Sequence, residues 1–96
     1  MLELTPTWDP SKAASNAKKH GVSFDEAATV FCDRNARLIH DPDHSQEEDR
    51  FLLLGLSAKL RLIAVAHSYR KGGTEIRIIS ARKATRGERG QYEEFL

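Results

Sequence analysis

The 96-residue sequence holds one cysteine, one tryptophan and three prolines. A lone Cys32 excludes an internal disulfide and a thiolate zinc cluster, since each needs further sulfur ligands. No window approaches the roughly 18 consecutive apolar residues of a membrane span. The opening MLELTPTWDP has neither the cationic leader nor the apolar stretch of a signal peptide, so no membrane association and a cytoplasmic location are expected. P-loop, GxGxxG and GxSxG motifs are all missing, and no cofactor is expected. Net charge is scant too, with 15 cations and 14 acids giving +1. As a bare number that argues against strong nucleic-acid binding.

What is present fits one domain spanning residues 1–96. A chain this short buries only roughly 60–65% of the surface its unfolded form exposes, so an open cleft is expected rather than an enclosed cavity. The average charge conceals a split. Asp41 to Asp49 contains five acids and no Lys or Arg, whereas Arg70 to Arg89 contains seven cations and two acids. Such asymmetry suggests a basic face for a polyanion, or a site that an acidic partner covers. The competing reading is a solvated charged surface.

Asp9 before Pro10 marks a helix start, Ala13, Ala14 and Ala17 give it a small apolar stripe, and His20-Gly21 closes it. Ser23 and Glu26 form a capping-box pair ahead of Phe24, Ala27, Ala28 and Phe31, which fall on one helical face. A short strand is expected at Arg37–His40, followed by the polar surface loop DPDHSQEED. Three more strands are expected at 50–57, 61–69 and 75–81. Their short links imply antiparallel hairpins. On 61–69, Leu62, Ala64 and Ala66 share one face and Ile63 and Val65 the other, so this strand reads as central. Thr85 and Glu88 form a second capping box for a last helix running to Phe95 or Leu96, weakened by Gly87 and Gly90. The expected fold is α+β: two N-terminal helices, an antiparallel meander of about four strands, and a C-terminal helix.

The segment from Glu75 to Arg89 carries the strongest chemical signal. An apolar strand delivers Arg82 and Lys83 to a helix N-terminus, where free amides and the dipole already favour anions. Arg86 and Arg89 are i,i+3 neighbours on that helix. Cations there oppose the helix dipole, a local conflict expected mainly at functional sites. Surface ion pairs with Glu88, Glu93 or the acidic loop are the plain alternative. Alternation places Arg77 with Ile79 and Ala81 and opposite Arg82, so convergence of the two arginines requires a departure from regular strand geometry. His40-Asp41-Pro42-Asp43-His44 is only a weak metal match, and no metal site is assigned. Cys32 reads as a small buried hydrophobe, Tyr92 as core or as a presented hydroxyl, and His67 as a sheet residue.

Trp8-Asp9-Pro10, Lys19-His20-Gly21-Val22-Ser23-Phe24, Ala27-Ala28 with Phe31 and Asp33, Asp43-His44-Ser45 to Glu48-Asp49-Arg50, Gly55, and Arg77-Ile78-Ile79-Ser80-Ala81-Arg82-Lys83-Ala84-Thr85-Arg86 with Glu88, Arg89 and Tyr92 together resemble the BrnT-type toxins. The resemblance spans nearly the whole chain. It implies a RelE-like fold and the toxic half of a type II toxin–antitoxin pair. The implied activity is a metal-independent endoribonuclease that halts translation. The implied partner is a BrnA-type antitoxin with a ribbon-helix-helix domain, through which alone operator DNA is bound. Arg77, Arg82, Lys83 and Arg86 are then the candidates for phosphate binding and transition-state stabilisation. His20, with His44 and Tyr92 behind it, is the candidate for proton transfer. Arg50, Arg70, Arg89 and Tyr92 are the candidates for further RNA contact. A non-catalytic RNA- or protein-binding module, or an inactive toxin serving as a repressor subunit, are the alternatives.

Overall fold

The computed structural model describes residues 5–41, 49–94 and 96. Its elements are β1 (Thr5–Thr7), α1 (Pro10–His20), α2 (Phe24–Thr29), β2 (Arg37–Asp41), β3 (Arg50–Leu56), β4 (Leu62–Arg70), β5 (Glu75–Lys83) and α3 (Arg86–Glu93), with a 3-10 turn at Val30–Cys32. The expected polar loop after β2 lies, from Pro42 to Glu48, outside the described residues.

The start and stop signals act as read. Asp9 accepts a hydrogen bond from the Ser11 amide at 2.8 Å, and Gly21 closes α1 in the left-handed conformation at φ 69°. Ser23 caps α2 by accepting from the Glu26 amide at 3.0 Å. The return half of that capping box does not form. The Glu26 carboxylate is drawn away by Arg61 and by the Ser57 hydroxyl at 2.7 Å, and α2 stops at Thr29. At α3 both halves form, between Thr85 and Glu88.

Among the described residues five strands, not four, build the sheet, in the order β1-β5-β4-β3-β2. Pairing is antiparallel from β2 through β5, but β1 runs parallel to β5, so the sheet is mixed. The sequence gives no periodic signal for β1 because three residues, Thr-Pro-Thr, are too short to show one. β4 is central, as its two apolar faces require. β5 continues past Ala81 to Lys83, so Arg82 and Lys83 belong to the strand, and α3 ends at Glu93.

The main core lies between α1, α2 and one sheet face, around Val22, Phe24, Ala27, Val30, Ile63, Val65, Ile76 and Ile78. Polar side chains take over where strands run out. Asn16 of α1, buried, donates to the carbonyls of Val22 and Ala81 and accepts from the Ala81 amide, satisfying β5 beyond the reach of β1. Asp33 does the same for β3 beyond β2, accepting from the Leu56 amide at 2.8 Å. Gly55 makes room for this: a Cβ there would sit 3.0 Å from Asp33 Oδ2, from Ala36 Cβ and from Val30 Cγ1. Cys32 is exposed rather than buried, because it falls on the outer side of the 3-10 turn whose Val30 enters the core.

Candidate functional site

Among the described residues, the second sheet face is covered by a helix at one end. Tyr92 of α3 packs there on Leu54, Leu62 and Ala64, with Leu52, Leu56 and Ala84 partly buried around it. Cross-strand partners share a face. The register therefore continues this face through Ala66 and Ser68 of β4 to Arg70, paired with Ser80, Arg77 and Glu75 of β5, and through Arg50 of β3.

Arg77 and Arg82 stand on this same face because of a β-bulge. Ala66 pairs with Ser80 while the next residue, His67, pairs with Ile78, so Ile79 is an extra residue on β5. A regular strand would send Arg77 and Arg82 to opposite sides, as the sequence pattern predicts, and would group Arg77 with Ile79 and Ala81. The bulge resets the alternation, leaving Arg77, Ser80 and Arg82 on the open face and Ile78 and Ala81 in the core. Their cross-strand partners Ser68 and Ala64 are four residues apart, which spaces the two arginines about 13 Å along the strand at a rise of roughly 3.3 Å per residue.

The two guanidinium groups differ in commitment. Arg82 forms a bidentate pair with Glu88, Nη1 to Oε1 at 2.7 Å and Nη2 to Oε2 at 3.0 Å. Glu88 Oε1 also accepts from the Thr85 amide at 2.9 Å, so one carboxylate caps α3 and pins it to β5. The Arg82 hydrogen bonds hold the Glu88 carboxyl below the usual glutamate range. Arg77, half-buried, makes no hydrogen bond or ion pair among the described residues. Across the strand from it, Ser68 is fully buried and its hydroxyl has no hydrogen-bond partner among the described residues.

The other candidates scatter. Arg50 and Arg70 lie at register positions of the open face, and both are engaged in interactions of their own. Arg86 and Arg89 are exposed on α3, the helix that leans on this face. Lys83 pairs with Ile63 of the core face and is exposed at the strand end, so it does not join Arg82. His20 ends α1, in the helical layer on the opposite side of the sheet. Tyr92 is buried, and its hydroxyl donates to Asp33 Oδ2 at 2.7 Å. Burial and the Asp33 carboxylate push its pKa up to about 12, which makes it a poor proton donor or acceptor at neutral pH. His44 lies outside the described residues.

Sequence reasoning did not find Ser68 or Ser80, because small hydroxyls on a strand carry no pattern until their neighbours are known. His67, expected as a sheet residue, lies in β4 and is fully buried among Phe31, Phe51 and Tyr69. Desolvation lowers its pKa, so the folded ring is neutral, with Nδ1 3.0 Å from the Val65 carbonyl and Nε2 3.2 Å from the Tyr69 hydroxyl. No group of three metal-capable side chains occurs among the described residues. Among the same residues, no helix is long and apolar enough to cross a membrane.

Residues 8–88 match the family model of the BrnT ribonuclease toxin of type II toxin–antitoxin systems. The chain belongs to the BrnT toxin family. Its fold is similar to that of the Brucella abortus ribonuclease toxin BrnT, with a TM-score of 0.62 and 24% identity, covering 88% of this chain and 99% of that one. No curated relative matches the sequence. Membership in a BrnT family places this chain among ribonuclease toxins that work opposite an antitoxin.

Proposed function

We propose that this BrnT-family chain is a metal-independent endoribonuclease acting in the cytoplasm, where RNA cleavage halts translation until a BrnA-type ribbon-helix-helix antitoxin binds it. Operator DNA is contacted through that antitoxin, and the fold kinship extends to the RelE-type toxins. The observation that carries the reading is the bulge at Ile79, which sets Arg77 on the same sheet face as Arg82.

RNA brings its own nucleophile, the 2′-hydroxyl, so cleavage requires alignment, proton transfer and stabilisation of charge on the phosphorane. Arg77 is the donor free to meet that charge. Arg82 holds the adjacent helix through Glu88, and Arg50, Arg70, Arg86 and Arg89 extend the positive surface along which an RNA strand binds. Lys83 contributes to the surrounding potential rather than to the reacting phosphate. Tyr92 supports the surface from beneath. His20 stays the histidine candidate for proton transfer, although α1 lies in the other layer.

The test is cleavage of total RNA by purified, antitoxin-free protein with and without EDTA, beside Arg77→Ala and His20→Ala variants that remain folded. Cleavage that survives chelation and falls with Arg77→Ala supports the assignment. A pH profile unchanged by His20→Ala removes that histidine from the mechanism. Salt-sensitive RNA binding with no product, even with ribosomes present, overturns catalysis and leaves a binding module.

A further inference from the structure

The hairpin joining β3 to β4 exposes a leucine in a costly conformation. Ser57 and Arg61 close the Ala58-Lys59-Leu60 loop: the Ser57 amide donates to the Arg61 carbonyl and the Leu60 amide to the Ser57 carbonyl, each at 2.9 Å. Leu60, the last loop residue, stands in the left-handed region at φ 59°. Glycine is the usual residue at that position, because a bulky side chain is strained there. An exposed leucine by itself is ordinary. This one is 81% exposed, so packing does not offset its strain. The loop is nevertheless held firmly. The Ser57 hydroxyl donates to Glu26 and accepts from the Lys59 amide, and Thr29 Oγ1 accepts from the Ala58 amide. Strain maintained at an exposed side chain, with no gain to the fold, is expected where that side chain serves a contact.

Cations surround the tip. Lys59 is exposed beside Leu60. Arg61 Nη2 donates to the Gly21 carbonyl at 3.1 Å, which brings the exposed Lys18 and Lys19 at the end of α1 to the hairpin. The Ala84 amide donates to the Leu62 carbonyl, which brings the exposed Lys83 close as well. Within residues 18–26, 57–62 and 83–84 the one exposed carboxylate is Asp25, since Glu26 is buried and held by Arg61.

We propose that Leu60 anchors a protein interface, inserting into an apolar pocket rimmed by carboxylates on the antitoxin. The proposal rests on the reading that this chain works opposite an antitoxin, and not on the RNA chemistry. A phosphate backbone would satisfy the lysines but offers a leucine nothing, whereas an apolar centre with a charged rim is the anatomy of a protein interface. Because the loop is already fixed, little conformational freedom is lost on binding. The hairpin adjoins the start of α3, and Ala64, four residues beyond Leu60, pairs with Arg82. A partner anchored there stands at the border of the Arg82 surface.

The test is the affinity and association rate of the full chain for the purified cognate BrnA-type antitoxin, with Leu60→Gly, Leu60→Asn and Lys59→Glu variants beside the wild type. Glycine and asparagine suit the left-handed position, so both Leu60 variants are expected to hold or raise the Tm. Both should weaken binding at least about tenfold, chiefly through faster dissociation. Lys59→Glu should slow association and reduce its salt dependence. Antitoxin affinity unchanged in both Leu60 variants overturns this proposal alone, and a fall in RNA binding in the same variants then assigns the hairpin to nucleic acid. A lower Tm in both overturns it as well, since Leu60 then serves the fold. A folded wild type that binds no antitoxin overturns it together with the partner reading on which it rests.

Discussion

The Tyr92 hydroxyl and the Asp33 carboxylate, 59 positions apart in sequence, meet at 2.7 Å and fasten the last helix to the loop that leads into β2. The same carboxylate oxygen accepts the Leu56 amide, so one atom joins α3, the β3 end and the 30–36 segment. Tyr92→Phe removes only the α3 part of this junction. We expect a loss of about 1.5–3 kcal/mol, the usual range for a hydrogen bond to a charged group. That corresponds to a Tm lower by roughly 6–24 °C at about 4–8 °C per kcal/mol. RNA cleavage measured below that Tm is expected to persist; its disappearance in a folded protein would make the hydroxyl a catalytic group after all.

Gly55→Ala tests the close approach that this junction requires. The added methyl meets three atoms at 3.0 Å, among them Val30 of the core, and none is the loose end of a long side chain. Overpacking of this kind costs roughly 1–3 kcal/mol. Chemical denaturation should show a lower midpoint at unchanged slope.

Arg77 and Arg82 are expected to separate under mutation. Arg77→Ala should lower cleavage by roughly 10²–10³, the effect of deleting one preorganised donor, and leave stability within about 0.5 kcal/mol. Glu88→Gln removes the carboxylate that caps and pins α3 while leaving every arginine in place. It should cost about 1 kcal/mol of stability with a much smaller effect on cleavage. Comparable losses of activity in both variants would show that the orientation of α3, and not Arg77 itself, limits the reaction.

Acid should destabilise the fold in two stages. His67 is neutral when folded because burial holds its pKa below 6.5, so the unfolded chain takes up more protons there. Stability from this group is complete above about pH 6.5 and is lost as pH falls toward the depressed folded value. Glu26, Asp33 and Glu88 also have lowered pKa values, Glu26 chiefly through its hydrogen bond to Arg61 and Glu88 through Arg82. Their contribution is present above their ordinary values of 4.5 and 3.8 and disappears below them. His67→Phe, which keeps the aromatic contacts with Phe31 and Phe51, should flatten the upper stage and leave the lower one. Thermal melts from about pH 8 to pH 3 resolve the two stages.

Glu26→Gln probes the second buried polar junction. Its carboxylate joins α2 to Ser57 and Arg61, and Arg61 in turn donates to the Gly21 carbonyl at 3.1 Å. Loss of the charge should cost roughly 1–3 kcal/mol and remove part of the lower acid stage, with RNA cleavage unaffected at 25 °C.

The sequence alone determined whatever is written in neighbouring residues. Caps at Asp9, Gly21, Ser23 and Thr85 bound the helices where expected, because capping is satisfied within one turn. Alternation on β4 placed that strand at the centre, because each side chain's face follows from its own position. The tertiary structure decided whatever depends on distant pairing. A parallel β1 exists only because β5, about 70 residues later, offers an edge. Glu26 leaves its capping box because Arg61 and Ser57 arrive from the β3–β4 turn. Arg77 joins Arg82 because the pairing of β4 with β5 slips at Ile79, and a single inserted residue inverts the face of everything beyond it. Charge and residue type were legible in the chain; which cations share a surface is a property of register, and register is set by the partner strand.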